Sequence, residues 1–169
     1  MQMMTNIRAA ALPDRVALVL AEAQGALSRG NVEAAIDALR AVLNPESTDE
    51  QQSMVRVNLA AALCQQAQSL AQNASAIGIL DEAASLLNQA IAALPARTRN
   101  WALARTNLAV VLLTRGNRAN VPADILMAHL ALDGTEEVFA TAADEAGRTW
   151  SRAVRDHLTE FHERRASLR

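Results

Sequence analysis

The chain contains no lysine, no tyrosine and one cysteine, and only two Trp and two Phe stand among its 169 residues. A single cysteine, Cys64, excludes an intrachain disulfide and fits a reducing compartment. The missing lysine leaves 16 arginines as the whole basic complement, which fits high-GC bacterial coding. A large charge of either sign is missing too. The formal net charge is −2, so no global field draws the chain to nucleic acid. Long apolar runs are also absent. No stretch of 18 uncharged apolar residues occurs, and the opening MQMMTNIRAAALPDR is interrupted by Arg8 and Asp14. These gaps predict a cytoplasmic chain with no membrane span and no secretory leader.

What is present is apolar and rich in alanine, with hydrophobic residues making up 51%. Ala loses no side-chain entropy in a helix, and few aromatic or β-branched residues compete for strands. A length of 169 residues suits one domain. Apolar residues recur at spacings of three and four, the helical period. Val16, Val19, Leu20, Ala23 and Leu27 form a first stripe, stopped by Gly30. Val32, Ala35, Ile36, Leu39 and Leu43 form a second, ended by Pro45. A third helix is expected at about 49–71, capped by Ser47 or Thr48. A fourth, at about 79–94, carries Leu80, Ala83, Leu87, Ala90 and Ile91, and a fifth covers about 101–115. A sixth, at about 123–139, aligns Ile125, Ala128, Leu132, Thr135 and Phe139, with Gly134 off that face. A last helix at about 143–165 carries Trp150, Val154, Leu158 and Phe161. No segment alternates as a strand does. The fold class is therefore all-α, with about seven helices in a single domain, residues 1–169.

The pattern repeats. RVNLAAAL at 56–63 echoes RTNLAVVL at 105–112, with Asn58 and Asn107 49 positions apart, and Trp101 and Trp150 share the same interval. RGNVEAAIDALRAVLNP (29–45) and LDEAASLLNQAIAALP (80–95) share an Ala-x-x-x-Leu step and a closing proline. On these motifs the chain resembles the tetratricopeptide repeat (TPR) family. The resemblance covers most of 14–122. It implies a right-handed α-solenoid of helical hairpins: repeat 1 at 14–45, repeat 2 at 49–95, a divergent repeat 3 at 100–141, and a capping helix at 143–166. Small residues at Ala60, Ala83 and Ala109 would let helices cross closely. The interval exceeds the family's period of about 34 residues. This longer form is similar to the TPR arrays of large bacterial signalling and defence proteins.

The resemblance also implies a function: protein–protein interaction without catalysis, as an adaptor or the sensor part of a regulator. The first helix of each hairpin would line a concave groove for a peptide or partner helix. Carried onto this chain, the groove comprises Met54, Val57, Asn58, Ala61 and Gln65, then Leu103, Thr106, Asn107, Val110 and Thr114. Ala17, Leu20, Gln24 and Ser28 are its first-unit members. Asn58 and Asn107 can each hydrogen-bond a peptide backbone, and Arg56 and Arg105 flank them as carboxylate partners. Recognition of a C-terminal carboxylate by a lysine-containing clamp is rejected, because no lysine exists. The alternative is an assembly subunit that forms a homo-oligomer or docks permanently to a larger complex.

No catalytic residue, metal site or cofactor is expected. Cys64 has no positive neighbour in sequence, and His157 and His162 are five apart, on different helix faces. His129 reads as a packed or half-exposed residue. Arg148, Arg152 and Arg155 alternate with acids, and Asp144–Arg148, Arg152–Asp156 and Glu160–Arg164 are each spaced i,i+4. That arrangement reads as a solvated helix face and not as a nucleic-acid surface.

Overall fold

A computed structural model describes residues 14–71 and 74–166. Among these residues there are eight helices and no strand: α1 (Arg15–Ser28), α2 (Val32–Val42), α3 (Glu50–Ser69), α4 (Ala74–Ala93), α5 (Arg99–Ala119), α6 (Pro122–Leu132), α7 (Thr135–Thr141) and α8 (Glu145–Ala166). None of these helices is long and apolar enough to cross a membrane.

From α1 to α6, each helix packs on the next. α3 also touches α1, and α5 touches α3, so these three form a continuous row. α7 and α8 then pack on α5, and α8 also meets α6. The main core runs through α1–α5, where Leu39, Leu59, Leu63, Leu80 and Leu87 are all at most 1% exposed. Each such side chain contributes about 1.5–3 kcal/mol by leaving water. Ala60, Ala83 and Ala109 have no exposed surface at all, as close helix crossing requires. A second cluster joins Leu112, Ile125, Leu132 and Leu158 across α5, α6 and α8.

Three boundaries differ from the sequence expectation. The single helix expected at 123–139 is two. Asp133 is extended (ψ 124°) and Gly134 adopts φ 74°, a left-handed conformation that suits glycine. The expected apolar face survives the break, since Ile125, Ala128, Leu132, Thr135 and Phe139 are all buried on both sides of it. α5 runs four residues past Arg115, through Gly116, and ends on Asn120 in the left-handed region. Gly116 is needed for packing, because a Cβ there would lie 2.9 Å from the Asp124 Cβ and 3.0 Å from the Ile125 Cδ1 of α6. α4 starts at Ala74, five residues before the expected point. The cap of α3 is also different. Asp49, not Ser47 or Thr48, accepts from the Gln52 backbone N–H at 2.7 Å.

Arginines tie the helices together at their C-terminal ends, where carbonyls lack partners and carry partial negative charge. Arg56 of α3 donates to the Asn44 and Pro45 carbonyls just after α2, at 3.2 and 3.0 Å. Arg105 of α5 donates to the Leu130 and Ala131 carbonyls of α6. Arg118 of α5 donates to the Gln68 and Leu70 carbonyls at the end of α3, at 3.2 Å. Arg155 of α8 reaches the Leu132 carbonyl at 2.9 Å.

Candidate functional site

The expected groove residues do not share one setting. Arg56, Val57 and Thr106 are at most 3% exposed and cannot meet a ligand at the surface. Arg56 is held by loop carbonyls, and its Nε is buried without a hydrogen-bond partner. Thr106 donates to the Ala102 carbonyl at 2.9 Å. Arg105 is half-buried on the other side of α5, stacked over the Trp101 ring at 4.5 Å and bonded to α6. Burial lowers its pKa from the ordinary guanidinium value, opposed by Asp133. Neither arginine therefore flanks the asparagines as a carboxylate partner. Met54 and Leu103 are half-buried against the main core.

Four of the expected residues meet on the α3–α5 side, and Asn58 is not among them. Gln65, Asn107 and Val110, with Ala61, line a cleft of about 270 Å³ between α3 and α5. Cys64 lies at its base, 5% exposed. The thiol stands 3.9 Å from the Thr114 hydroxyl, and burial pushes its pKa up, against thiolate formation. Asn58 and Asn107 share one further property. Each side-chain amide donates to the carbonyl four residues back, Met54 at 2.8 Å and Leu103 at 3.0 Å. Their recurrence is thus partly an intrahelical bond. Thr114 does the same to Val110, at 2.8 Å.

Two surfaces escaped sequence reasoning. The first adjoins the α3–α5 cleft through Gln68 and Val110. It is a cleft of about 630 Å³ between α5 and α8, walled by Leu113, Trp150, Val154 and Phe161, with Thr114, Asn117, Arg118 and His157 at its edges. Reading α8 only as a cap hid this wall, although Trp150, Val154 and Phe161 lie at helical spacing.

The second lies on the opposite side of α5. There α4 and α6 leave a trough of about 880 Å³, bordered by Ser85, Asn88, Gln89, Met127 and Leu130. Arg115 crosses its floor, donating to both Asp124 oxygens (2.8 and 2.7 Å) and to Asp81 (2.7 Å). These carboxylates push the Arg115 pKa up, with the Asp124 hydrogen bonds the largest cause. Leu126, Met127 and Leu130 are 62%, 52% and 49% exposed on the adjoining ridge of α6. The signal was present in PADILMAHLAL, which is apolar around nearly its whole circumference, where a surface helix has one polar face.

On α8, only the Glu160–Arg164 pair forms as expected, at 3.9 Å. Asp144 turns to Arg99 at 2.7 Å and caps the Gly147 N–H, Arg148 pairs with Glu145, and Arg152 and Arg155 share Glu136. Among the described residues, no group of three or more His, Cys, Asp or Glu is placed to hold a metal ion.

No family model, no curated protein and no solved structure matches this chain.

Proposed function

We propose that the chain is a TPR-like, right-handed α-solenoid that binds a peptide or helix of a partner protein without catalysis, as an adaptor or the sensor part of a regulator. It works in a bacterial cytoplasm, takes no cofactor and binds no nucleic acid. One observation carries the reading. Gln65 of α3 and Asn107 and Val110 of α5 meet in one open cleft. Amides beside small apolar walls suit a main chain that needs both donors and acceptors. The arginines of α8 support the exclusion of nucleic acid, since Arg148, Arg152 and Arg155 each face a carboxylate.

The test compares the two sides of α5. A Gln65→Glu/Asn107→Glu variant fills the α3–α5 cleft. A Ser85→Glu/Asn88→Glu variant places the same charges on exposed positions beside the α4–α6 trough. In pull-downs from the source cell, the first variant loses partners that native protein recovers, and the second keeps them. Equal recovery by all three proteins would refute the groove.

The exposed Leu126, Met127 and Leu130 favour a second reading, an assembly subunit whose α6 ridge meets a second copy. Light scattering at micromolar concentration separates the two. A stable oligomer dispersed by Met127→Glu favours assembly, and a monomer excludes it.

A further inference from the structure

We propose that the α5–α8 cleft takes an acidic, apolar segment of the partner protein: a large apolar side chain seated between Trp150 and Phe161, with carboxylates beside it facing Arg118. This rests on the reading above and names the partner's chemistry.

The apolar half follows from the walls. Trp150, Val154 and Phe161 recur along one stripe of α8 and face Val110 and Leu113 of α5. Trp150 and Phe161 are half the aromatic residues of the chain, and both are only half-buried. By contrast, Phe139 is fully buried. Half-buried aromatic side chains beside an arginine are the usual anchors of a protein interface. The volume of about 630 Å³ holds several side chains.

The acidic half follows from charge. The chain has 18 acidic residues, yet none lines the α3–α5 or α5–α8 cleft. The trough across α5 holds Asp81 and Asp124. Arg118 makes no ion pair among the described residues, and its bonds go to main-chain carbonyls of α3. The C-terminus of α3 offsets about half a unit of its charge. The rest has no acidic neighbour in the cleft wall, and a carboxylate on the partner supplies it.

The shape favours a chain segment over a small molecule. The two clefts share Gln68 and Val110, so they lie side by side along α5 from Asn107 to the Phe161 wall.

Fluorescence anisotropy tests this with three labelled twelve-residue peptides: one of Phe, Leu and Glu, one with Lys in place of Glu, and one with Ser in place of Phe and Leu. The protein variants are Ala153→Glu, Ala153→Gln and, across the molecule, Ser85→Glu. Ala153 in the wall of the α5–α8 cleft and Ser85 beside the trough are both exposed on helices, and circular dichroism checks that each variant keeps its helix content. The Glu peptide should bind at least tenfold tighter than the Lys peptide, with the gap narrowing as salt rises. The Ser peptide should not bind. Ala153→Glu should weaken the Glu peptide at least tenfold more than Ala153→Gln does, while Ser85→Glu should leave it within about twofold.

Equal binding of the Glu and Lys peptides, both lost in Ala153→Glu, would overturn the acidic partner and leave the groove standing. Binding lost in Ser85→Glu alone would overturn both by moving the site across α5. Equal loss in Ala153→Gln and Ala153→Glu would remove charge as the cause. No binding of any peptide would overturn the proposal. Saturable binding of an apolar dye, lost in Ala153→Glu and indifferent to every peptide, would assign the cleft to a small apolar molecule instead.

Discussion

On one side of α5, helices α3 and α8 leave adjoining clefts of about 270 and 630 Å³ whose walls hold no carboxylate. On the other, α4 and α6 leave a trough of about 880 Å³ floored by Arg115 between Asp81 and Asp124. The larger hollow answers Arg115 with two carboxylates, although Arg105 on its wall, like Arg118 across α5, bonds only to main-chain carbonyls. Its floor binds three helices to one another, and its exposed ridge is purely aliphatic. The smaller hollows differ in holding half-buried aromatic rings and no carboxylate. Size alone would pick the α4–α6 side, opposite the proposed groove. The proposed groove rests instead on the amides and aromatic rings that line the smaller clefts.

The largest expected effect strikes both sides together. Phe139 of α7 is fully buried and clusters with Val138 and Ala102, under the contacts of α7 with α5 and α8. Phe139→Ala should cost about 3–5 kcal/mol in urea unfolding and loosen α8. A loss below about 1 kcal/mol would mean that α7 does not brace that helix.

The next effect separates the sides. Arg115→Ala strands Asp124, whose side chain is 8% exposed, and should cost about 2–3 kcal/mol, because the Arg115 side chain is itself 24% exposed. Asp124→Asn/Arg115→Ala should recover part of that loss. Acidic-peptide binding across α5 should change by less than about threefold. A collapse of binding would show that the two sides are not independent.

A smaller effect concerns pH. The Asp144 pKa lies below its ordinary value, held there first by the Gly147 N–H and then by Arg99. The Asp49 pKa is also lowered, first by the Ser47 hydroxyl and then by the Gln52 N–H. A lowered folded-state pKa gives stability that is fully present above the unfolded value, near 3.8, and is lost as pH falls through the folded value. Stability should therefore hold steady from neutral pH to about 5 and fall below about 4. Asp49→Asn/Asp144→Asn should flatten that fall, read from urea midpoints at a series of pH values. An unchanged slope would contradict the capping roles.

The smallest effect is local to the candidate side. Cys64 is buried with a raised pKa, so a disulfide reagent at pH 8 should modify it at least about tenfold more slowly than free cysteine. A bound acidic peptide should slow it further. Reaction at the free-cysteine rate would mean that the α3–α5 cleft opens in solution.

Much of the fold was readable in the sequence because helix period and small residues report packing directly. Ala60, Ala83 and Ala109 were expected at close crossings and have no exposed surface. The break at Gly134 was not read, because the stripe from Ile125 to Phe139 stays in register across it. The site was less readable. Asn58 and Asn107 recur, and the structure gives each the same bond to a carbonyl four residues back, a constraint of the helix itself. Arg56 and Arg105 recur as well, yet each satisfies a helix end, and the two lie in different surroundings. Recurrence in a repeated chain marks packing first. The residues that line the α5–α8 cleft, Arg118, Trp150 and Phe161, belong to no repeated motif beyond the Trp101 interval.

The most direct test of the account is photo-cross-linking from the two sides of α5. Benzoylphenylalanine replaces Gln65 in one protein and Met127 in another, both irradiated in the same cell extract. The account predicts a product with a different polypeptide from position 65, suppressed by excess acidic peptide, and from position 127 either no product or a second copy of this chain. A product with a different polypeptide from position 127 alone would contradict it.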